Sequence, residues 1–390
     1  MKGPILTLNA GSSSLKFALF EAGQELAAGS RGSIDETFSA PRMVTRDAAG
    51  HESAEHCFPK AIPFPDLVAE VIAWAEKQCG TALAAVGHRV VHGGSHYTAP
   101  QRVTDELLAD LDALVALAPL HEPHNLAPMR FLKERHPALV QVACFDTGFH
   151  GTMPAIASRF ALPRKFEEDG VRRYGFHGLS YEYVAGRLRE IAPELAKGRV
   201  IAAHLGNGAS LCALKDGRSI DTSMGFSALE GLVMGTRCGS LDPGVILYFM
   251  RRYGMGAAQI ENLLYNRSGL LGVSGMSPDM RELLASDAVA AKEAVALFVF
   301  RLAREIAALT ASLGGLDGLI FTAGIGEHAS EIRKMTCESL SWLGIALDDA
   351  ANRRNERRIS ASGSRVAVMV IPTDEEAMIA RQVVTLLGPG

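Results

Sequence analysis

The chain has 390 residues, 48% of them hydrophobic and 21% charged, a globular composition longer than one ordinary core, so two domains are expected. A formal net charge of −4 excludes the broad basic surface of a nucleic-acid binder, and any bound phosphate must be met by a few local cations. The six cysteines, Cys57, Cys79, Cys144, Cys212, Cys238 and Cys337, form no C-x-x-C pair, which leaves no zinc or disulfide framework and predicts a reducing compartment, the cytoplasm.

Residues 5–20, ILTLNAGSSSLKFALF, read as strand, tight turn, strand. Small residues in the turn tolerate φ > 0 and leave backbone N–H groups to face an anion. Asn9 and the serines interrupt the apolar run after Leu8, so no signal peptide is read there. Residues 29–60 are mixed and predict short strands and loops. Leu67, Val68, Val71, Ile72 and Ala75 then share one helical face, with Gly80 placed as the C-terminal cap. A strand follows at 84–91. Thr104 can cap a helix carrying the stripe Leu107, Leu108, Leu111, Leu114 and Val115, ended near Pro119.

Residues 139–145 form an apolar strand that ends on Asp146, at the edge of an α/β sheet where sites form. The pattern then restarts. Residues 200–214, VIAAHLGNGASLCAL, repeat the strand–turn–strand, a long amphipathic helix covers 288–313, and a strand at 318–322 enters AGIGE. The charges along 288–313 make it a buried helix of a soluble protein rather than a membrane span. A last strand at 366–371 meets a final helix at 375–387. Two halves with one plan predict a duplicated fold with a cleft between them, joined near 147–165, where Gly148, Gly151, Pro154 and Pro163 punctuate the chain.

Several polar residues stand out, each with a plain structural alternative. Asn9, Ser12, Ser14 and Lys16 crowd the first turn, where Lys16 suits a terminal phosphate or is simply an exposed lysine on a hairpin. Arg89 lies among apolar strand residues and needs an anion, either an ion-pair partner or a ligand. Asp146, at a strand end beside glycine, has the setting of a metal-facing or water-facing carboxylate. Arg237 lies on a glycine-rich loop, where a solvated side chain is the default. His177 sits at a turn, where a hydrogen-bonded core histidine is the commoner outcome. Glu375 begins the last helix and would serve equally as a first-turn dipole partner. His92 with His96 and His121 with His124 look like metal pairs but lack a third ligand at zinc-protease spacing.

Taken together the motifs NAGSSSLK, GHRVVHGG, APLHEPHN, FDTGFH, RRYGFHGLS, HLGNGAS, DTSMGF, LEGLVMGTR, SGLLGVSG, FTAGIGE and IPTDEEAMIA, in that order over nearly the whole chain, resemble the acetate kinases and, through them, the actin, hexokinase and Hsp70-type ATPases. The resemblance implies an α/β, duplicated actin-like (ribonuclease H-like) fold: a first domain over 1–150, completed by the C-terminal helix 376–390, and a nucleotide-binding domain over 151–375. The implied activity is reversible, direct in-line transfer of the γ-phosphoryl group of ATP to acetate, giving acetyl phosphate and ADP with Mg²⁺, which Mn²⁺ could replace. A homodimer binding neither nucleic acid nor membrane is implied as well.

Residue by residue, the resemblance places Asp146, His177 and Arg237 at the catalytic centre, Arg89 on the substrate carboxylate, and Val91, Leu120, Phe176 and Ala228 around an apolar pocket. It assigns the metal to Asn9 and Glu375. The nucleotide falls to Ser12, Ser14 and Lys16, to the turn His204, Leu205, Gly206, Asn207 and Gly208, and to Asp279, Met280, Arg281, Gly324, Ile325, Gly326, Glu327 and His328. Departures from the family pattern are Ser95 for glutamate, Glu122 for asparagine, Leu179 and Tyr181 in a stretch usually reading Thr-Ser-His, Ala228 for proline, and His328 for asparagine. The smaller Ala228 predicts that propionate competes well with acetate, and His328 bears on nucleotide preference. The runner-up within the family is a kinase of propionate, butyrate or another short-chain fatty acid; two rival classes are an ATP-switched binding protein of the same superfamily and, more remotely, a metal hydrolase built on the His92/His96 region.

Overall fold

The computed structural model describes residues 2–11, 14–23, 26–35, 40–60, 62–118 and 122–388. Ser12 and Leu120, two of the expected site residues, lie outside the described residues, as does Pro119. The chain divides into two compact units, Met1–Phe149 with Asp374–Gly390, and His150–Thr373.

The first unit is built on an eight-stranded sheet ordered β5-β4-β3-β2-β1-β6-β8-β7. Its strands are β1 (Gly3–Ala10), β2 (Ser14–Ala22), β3 (Leu26–Asp35), β4 (Arg42–Arg46), β5 (Glu52–Cys57), β6 (Ala85–Val90), β7 (Gln101–Arg102) and β8 (Val140–Phe145). The expected first hairpin is β1–β2, antiparallel with Asn9 opposite Lys16, and β1, β6 and β8 run parallel. Helix α1 (Phe64–Cys79) buries the five residues of the predicted face, and Gly80 caps it with φ 64° in the left-handed region that favours glycine. Helix α2 (Asp105–Ala113) starts where Thr104 accepts a hydrogen bond from the Leu107 amide. The stripe continues only as a short 3-10 turn, Leu114–Leu117, which tightens the last turn and satisfies its carbonyls.

Helix α3 (Glu122–Arg135) and the C-terminal helix Glu375–Leu387 complete this unit. The C-terminal helix lies so close to β6 that a Cβ on Gly87 would stand 2.5 Å from Ile379 Cγ2 and 2.8 Å from Val383 Cγ2. Glycine is required there by close approach, which seats Glu375 and Glu376 beside the carboxyl end of β1.

The second unit carries a five-stranded sheet ordered β11-β10-β9-β12-β13, from β9 (Arg199–Leu205), β10 (Ala209–Lys215), β11 (Arg218–Thr222), β12 (Gly318–Thr322) and β13 (Ala367–Val370). Its pairings are antiparallel for β11/β10 and β10/β9 and parallel for β9/β12 and β12/β13, the same plan as β3-β2-β1-β6-β8. The duplication expected from the sequence therefore holds strand for strand. The long helix Val289–Leu313 packs on this sheet through residues spaced three and four apart, among them Phe298, Leu302, Ile306 and Leu309. No helix among the described residues is long and apolar enough to cross a membrane.

One expectation about the hairpins is corrected. Neither Gly11 nor Gly206 nor Gly208 takes a positive φ. The turn glycines of the second hairpin serve close approach instead: a Cβ on Gly208 would lie 3.3 Å from His177 Nε2 and 3.7 Å from Arg237 Nη1.

Candidate active site

In the first unit the ends of β1, β6 and β8 and the start of the C-terminal helix bring the expected charges into one network. Arg89, on β6, holds Asp146 Oδ2 through Nη2 at 2.5 Å and Nε at 2.9 Å. Its Nη1 donates to Asn9 Oδ1 at 3.3 Å, and the Asn9 amide donates to Glu375 Oε2 at 3.1 Å and Glu376 Oε1 at 3.3 Å. Asp146 is only 1% exposed, so it faces the Arg89 guanidinium rather than water, which corrects the water-facing setting expected of it. Burial opposes charge on Arg89, but Asp146 and then Glu375 and Glu376 raise its pKa overall. Arg89 thus has an ion-pair partner and still keeps 18% of its side chain exposed, where a ligand can reach it.

Glu376 was not singled out by the sequence. It is pushed up first by burial and then by the neighbouring Glu375, with Lys16 pulling the other way. Two carboxylates gathered by one amide form an oxygen donor set of the kind that suits a hard divalent cation. Glu122, at the first turn of α3, is a second buried acid, raised to about 8 by desolvation; the charge of Arg89 opposes the rise, and Asp146 adds to it. His92, one of the apparent metal residues, is buried and its Nδ1 accepts the Gly94 amide at 2.9 Å. Among the described residues no three His, Cys, Asp or Glu side chains are grouped to hold a metal ion.

In the second unit a cavity of about 820 Å³ opens between the β9–β10 turn and two helix starts. Gly206 and Asn207, Asp279, Met280 and Arg281, and Gly324, Ile325 and His328 line it, three segments brought together from well apart in the sequence. Its size is that of a small-molecule site, roughly 300–1,000 Å³. Gly326 and Glu327 do not line it. Glu327 Oε1 instead accepts the amides of Ala323, at 2.7 Å, and Thr373, at 3.2 Å, fixing the turn in which Ala323 holds φ 63°. Leu205, also expected at the nucleotide, is fully buried and does not line the cavity.

Beside the same turn stand His177 and Arg237. His177 is held with φ 59°, its Nδ1 lies 2.8 Å from Ser210 Oγ, and its ring stacks on His204 at 4.2 Å. The Phe176 carbonyl is held by His150 Nε2 at 2.9 Å, which anchors this strained turn; burial pulls His150 down to about 4, so it is neutral. Arg237 is not the solvated loop residue of the default expectation: it is half-buried, Nη1 donates to the Ala228 carbonyl at 3.0 Å, and its guanidinium lies over Tyr265. Phe176 is buried and Ala228 half-buried in this unit, while Val91 is buried in the other.

One further residue escaped sequence reading. Arg333, fully buried with no acidic partner among the described residues, donates to the carbonyls of Gly326 and Glu327, both at 2.9 Å, and to Asn352 and Asn355. It braces the carboxyl end of Ala323–His328, whose residues form one cavity wall. Its place on an amphipathic helix, Ser330–Ser339, offered no signal, since an arginine there reads as a solvated face.

Comparison with known proteins shows the family. The acetate kinase of Rhodopseudomonas palustris strain TIE-1 is 53% identical over 397 residues, covering 100% of both chains. A propionate kinase from Francisella tularensis superposes with a TM-score of 0.90 at 37% identity, covering 97% of this chain and 98% of that one. Porphyromonas gingivalis acetate kinase gives a TM-score of 0.86 at 36% identity, covering 99% and 100%. The description of the Acetokinase family matches residues 4–381, and with that span the chain belongs to the acetokinase family.

Proposed function

We propose that this protein is an acetate kinase, transferring the γ-phosphoryl group of ATP directly and reversibly to acetate to give acetyl phosphate and ADP. The observation that carries the reading is the β9–β10 turn: Gly206 and Asn207 line the cavity, and His177 Nε2 and Arg237 Nη1 flank Gly208 two residues on. A nucleotide seated in the cavity would present its phosphates along that turn.

Acetate is already ionised near neutral pH, since such acids titrate close to a glutamate, about 4.3, and no strong base is needed. The barrier is the approach of two anions, so the protein's work is alignment and neutralisation. Arg89 would bind the carboxylate, Val91, Leu120, Phe176 and Ala228 would enclose its methyl group, and His177 and Arg237 would stabilise the transferring phosphoryl oxygens. Asp146 orients Arg89 through its ion pair. Ser12, Ser14 and Lys16 would meet nucleotide phosphates from the first hairpin. Asn9 and Glu375, joined by Glu376, would hold Mg²⁺ or Mn²⁺, which neutralises phosphate charge when bound; the mutual repulsion of Glu375 and Glu376 supports this assignment.

The reading is tested by trapping the acyl phosphate as its hydroxamate from ATP, Mg²⁺ and acetate; acetyl hydroxamate is expected, and none in either direction of reaction overturns it. Ala228 favours a second substrate. Propionate is expected to compete well with acetate, because one methylene is worth only about 1–3 kcal/mol in an apolar pocket; a kcat/KM for propionate hundreds of times below that for acetate overturns this.

The two units are taken to be the N-terminal actin-like domain, completed by the C-terminal helix, and the nucleotide-binding domain. Homodimer formation is supported by the helix Pro243–Tyr253, none of whose residues is buried and which exposes Leu247, Tyr248, Met250 and Tyr253. Six free thiols support a cytoplasmic location.

A further inference from the structure

We propose that Tyr181 is a positioning residue that, through Ser210, holds His177 as the tautomer protonated on Nε2, turning that nitrogen into a fixed donor beside Arg237. The inference rests on the reading of this site as a phosphoryl-transfer centre and assigns a residue that reading leaves unused.

Three groups form a buried chain in the second unit. Tyr181 Oη lies 2.5 Å from Ser210 Oγ, and Ser210 Oγ lies 2.8 Å from His177 Nδ1. Tyr181 and Ser210 are both 0% exposed, so no water intervenes to change the order of donors. Each link can in principle run either way, and the chemistry of the ends decides. Burial keeps Tyr181 protonated, its pKa raised well above the ordinary value. The phenol proton has Ser210 Oγ within hydrogen-bond distance, at 2.5 Å. A phenol is also more acidic than an alcohol and the better donor of the two. Ser210, having accepted, spends its single hydroxyl proton on His177 Nδ1. Nδ1 is then an acceptor and the ring proton resides on Nε2.

The position of Nε2 gives the tautomer its consequence. It is the atom nearest a Cβ placed on Gly208, at 3.3 Å, with Arg237 Nη1 at 3.7 Å from the same point. Two donors, one neutral and one cationic, thus border one spot on the turn beside the cavity. The opposite tautomer would present a lone pair there and repel an anionic phosphoryl oxygen. Stacking on His204 at 4.2 Å, whose own Nδ1 lies 2.8 Å from Ser180 Oγ, holds the ring plane so that Nε2 cannot swing away.

The test reads the tautomer without substrate. In full-length protein labelled with ¹⁵N-histidine, with the His177 signals assigned by comparison with His177→Gln, NMR at neutral pH is expected to show a protonated Nε2 and an unprotonated Nδ1. In Tyr181→Phe the two tautomers are expected to mix and kcat to fall about tenfold, as for other lost orienting partners, with both KM values unchanged. Tyr181→His, which keeps an N–H at this place, is expected to restore part of both. A proton on Nδ1 in the unsubstituted protein overturns the proposal, and this needs no variant to fold. A fall in kcat with an unmoved tautomer overturns it as well, since lost packing alone would produce that. Failure of the hydroxamate assay with Nε2 still protonated would remove the functional reading and leave the positioning role standing.

Discussion

The two hairpins that begin the two sheets share a strand plan and do opposite electrostatic jobs. At the end of β1–β2 the side chains are charged and bound to one another, with Arg89 tied to Asp146 and Asn9, and Asn9 to Glu375 and Glu376. At the end of β9–β10 the bonds run to neutral groups as well: Ser210, Tyr181 and Ser180 hydroxyls meet two imidazoles, and Arg237 donates to a carbonyl. Duplication supplied the backbone frame; the side chains then diverged, one copy toward carboxylate and cation chemistry, the other toward donors fixed before the phosphoryl group arrives.

Breaking the charged copy should cost most. Arg89→Ala strips a buried carboxylate of its guanidinium, and a loss of about 3–5 kcal/mol in stability is expected by denaturant unfolding. Acyl phosphate formation should fall at least about a hundredfold in the hydroxamate assay. Arg237→Ala tests the other copy by contrast. It removes a hydrogen bond to the Ala228 carbonyl, and kcat should fall about a hundredfold while the melting temperature stays near that of the parent protein. A comparable loss of stability would erase the distinction between the copies.

Gly208→Ala sharpens the comparison within the second hairpin. The added methyl group meets His177 Nε2 at 3.3 Å without backbone strain, so stability should hold while kcat falls about tenfold from displaced donors. Ala228→Pro narrows the expected apolar pocket, and the acetate-to-propionate ratio of kcat/KM should rise about tenfold. Unchanged discrimination would take Ala228 out of the pocket.

The last test concerns Glu122, whose folded-state pKa is about 8 against an ordinary 4.5. The folded protein binds this proton more tightly than the unfolded chain. The associated stability is complete below about 4.5 and is lost as pH rises toward 8. Glu122→Gln, which cannot ionise, should flatten the decline of melting temperature between these values, and a parallel decline in both proteins would show that Glu122 titrates normally.

Much of the architecture was legible in the residues. The hairpins, the Gly80 cap, the Thr104 cap, the face of α1 and the strand at 318–322 follow from local periodicity and turn chemistry, which act over a few residues. The motifs also carried the family, and so the expected roles of Arg89, Asp146, His177 and Arg237. Partners remote in the chain were not legible. Glu376 gains its meaning 367 residues away, at Asn9. Tyr181 does so through Ser210 on a facing strand, and Arg333 through the carbonyls of Gly326 and Glu327. Composition and period record where each side chain points along its own element; whether a buried hydroxyl donates or a guanidinium braces a turn depends on which distant group desolvation leaves it facing, and the folded packing alone settles that.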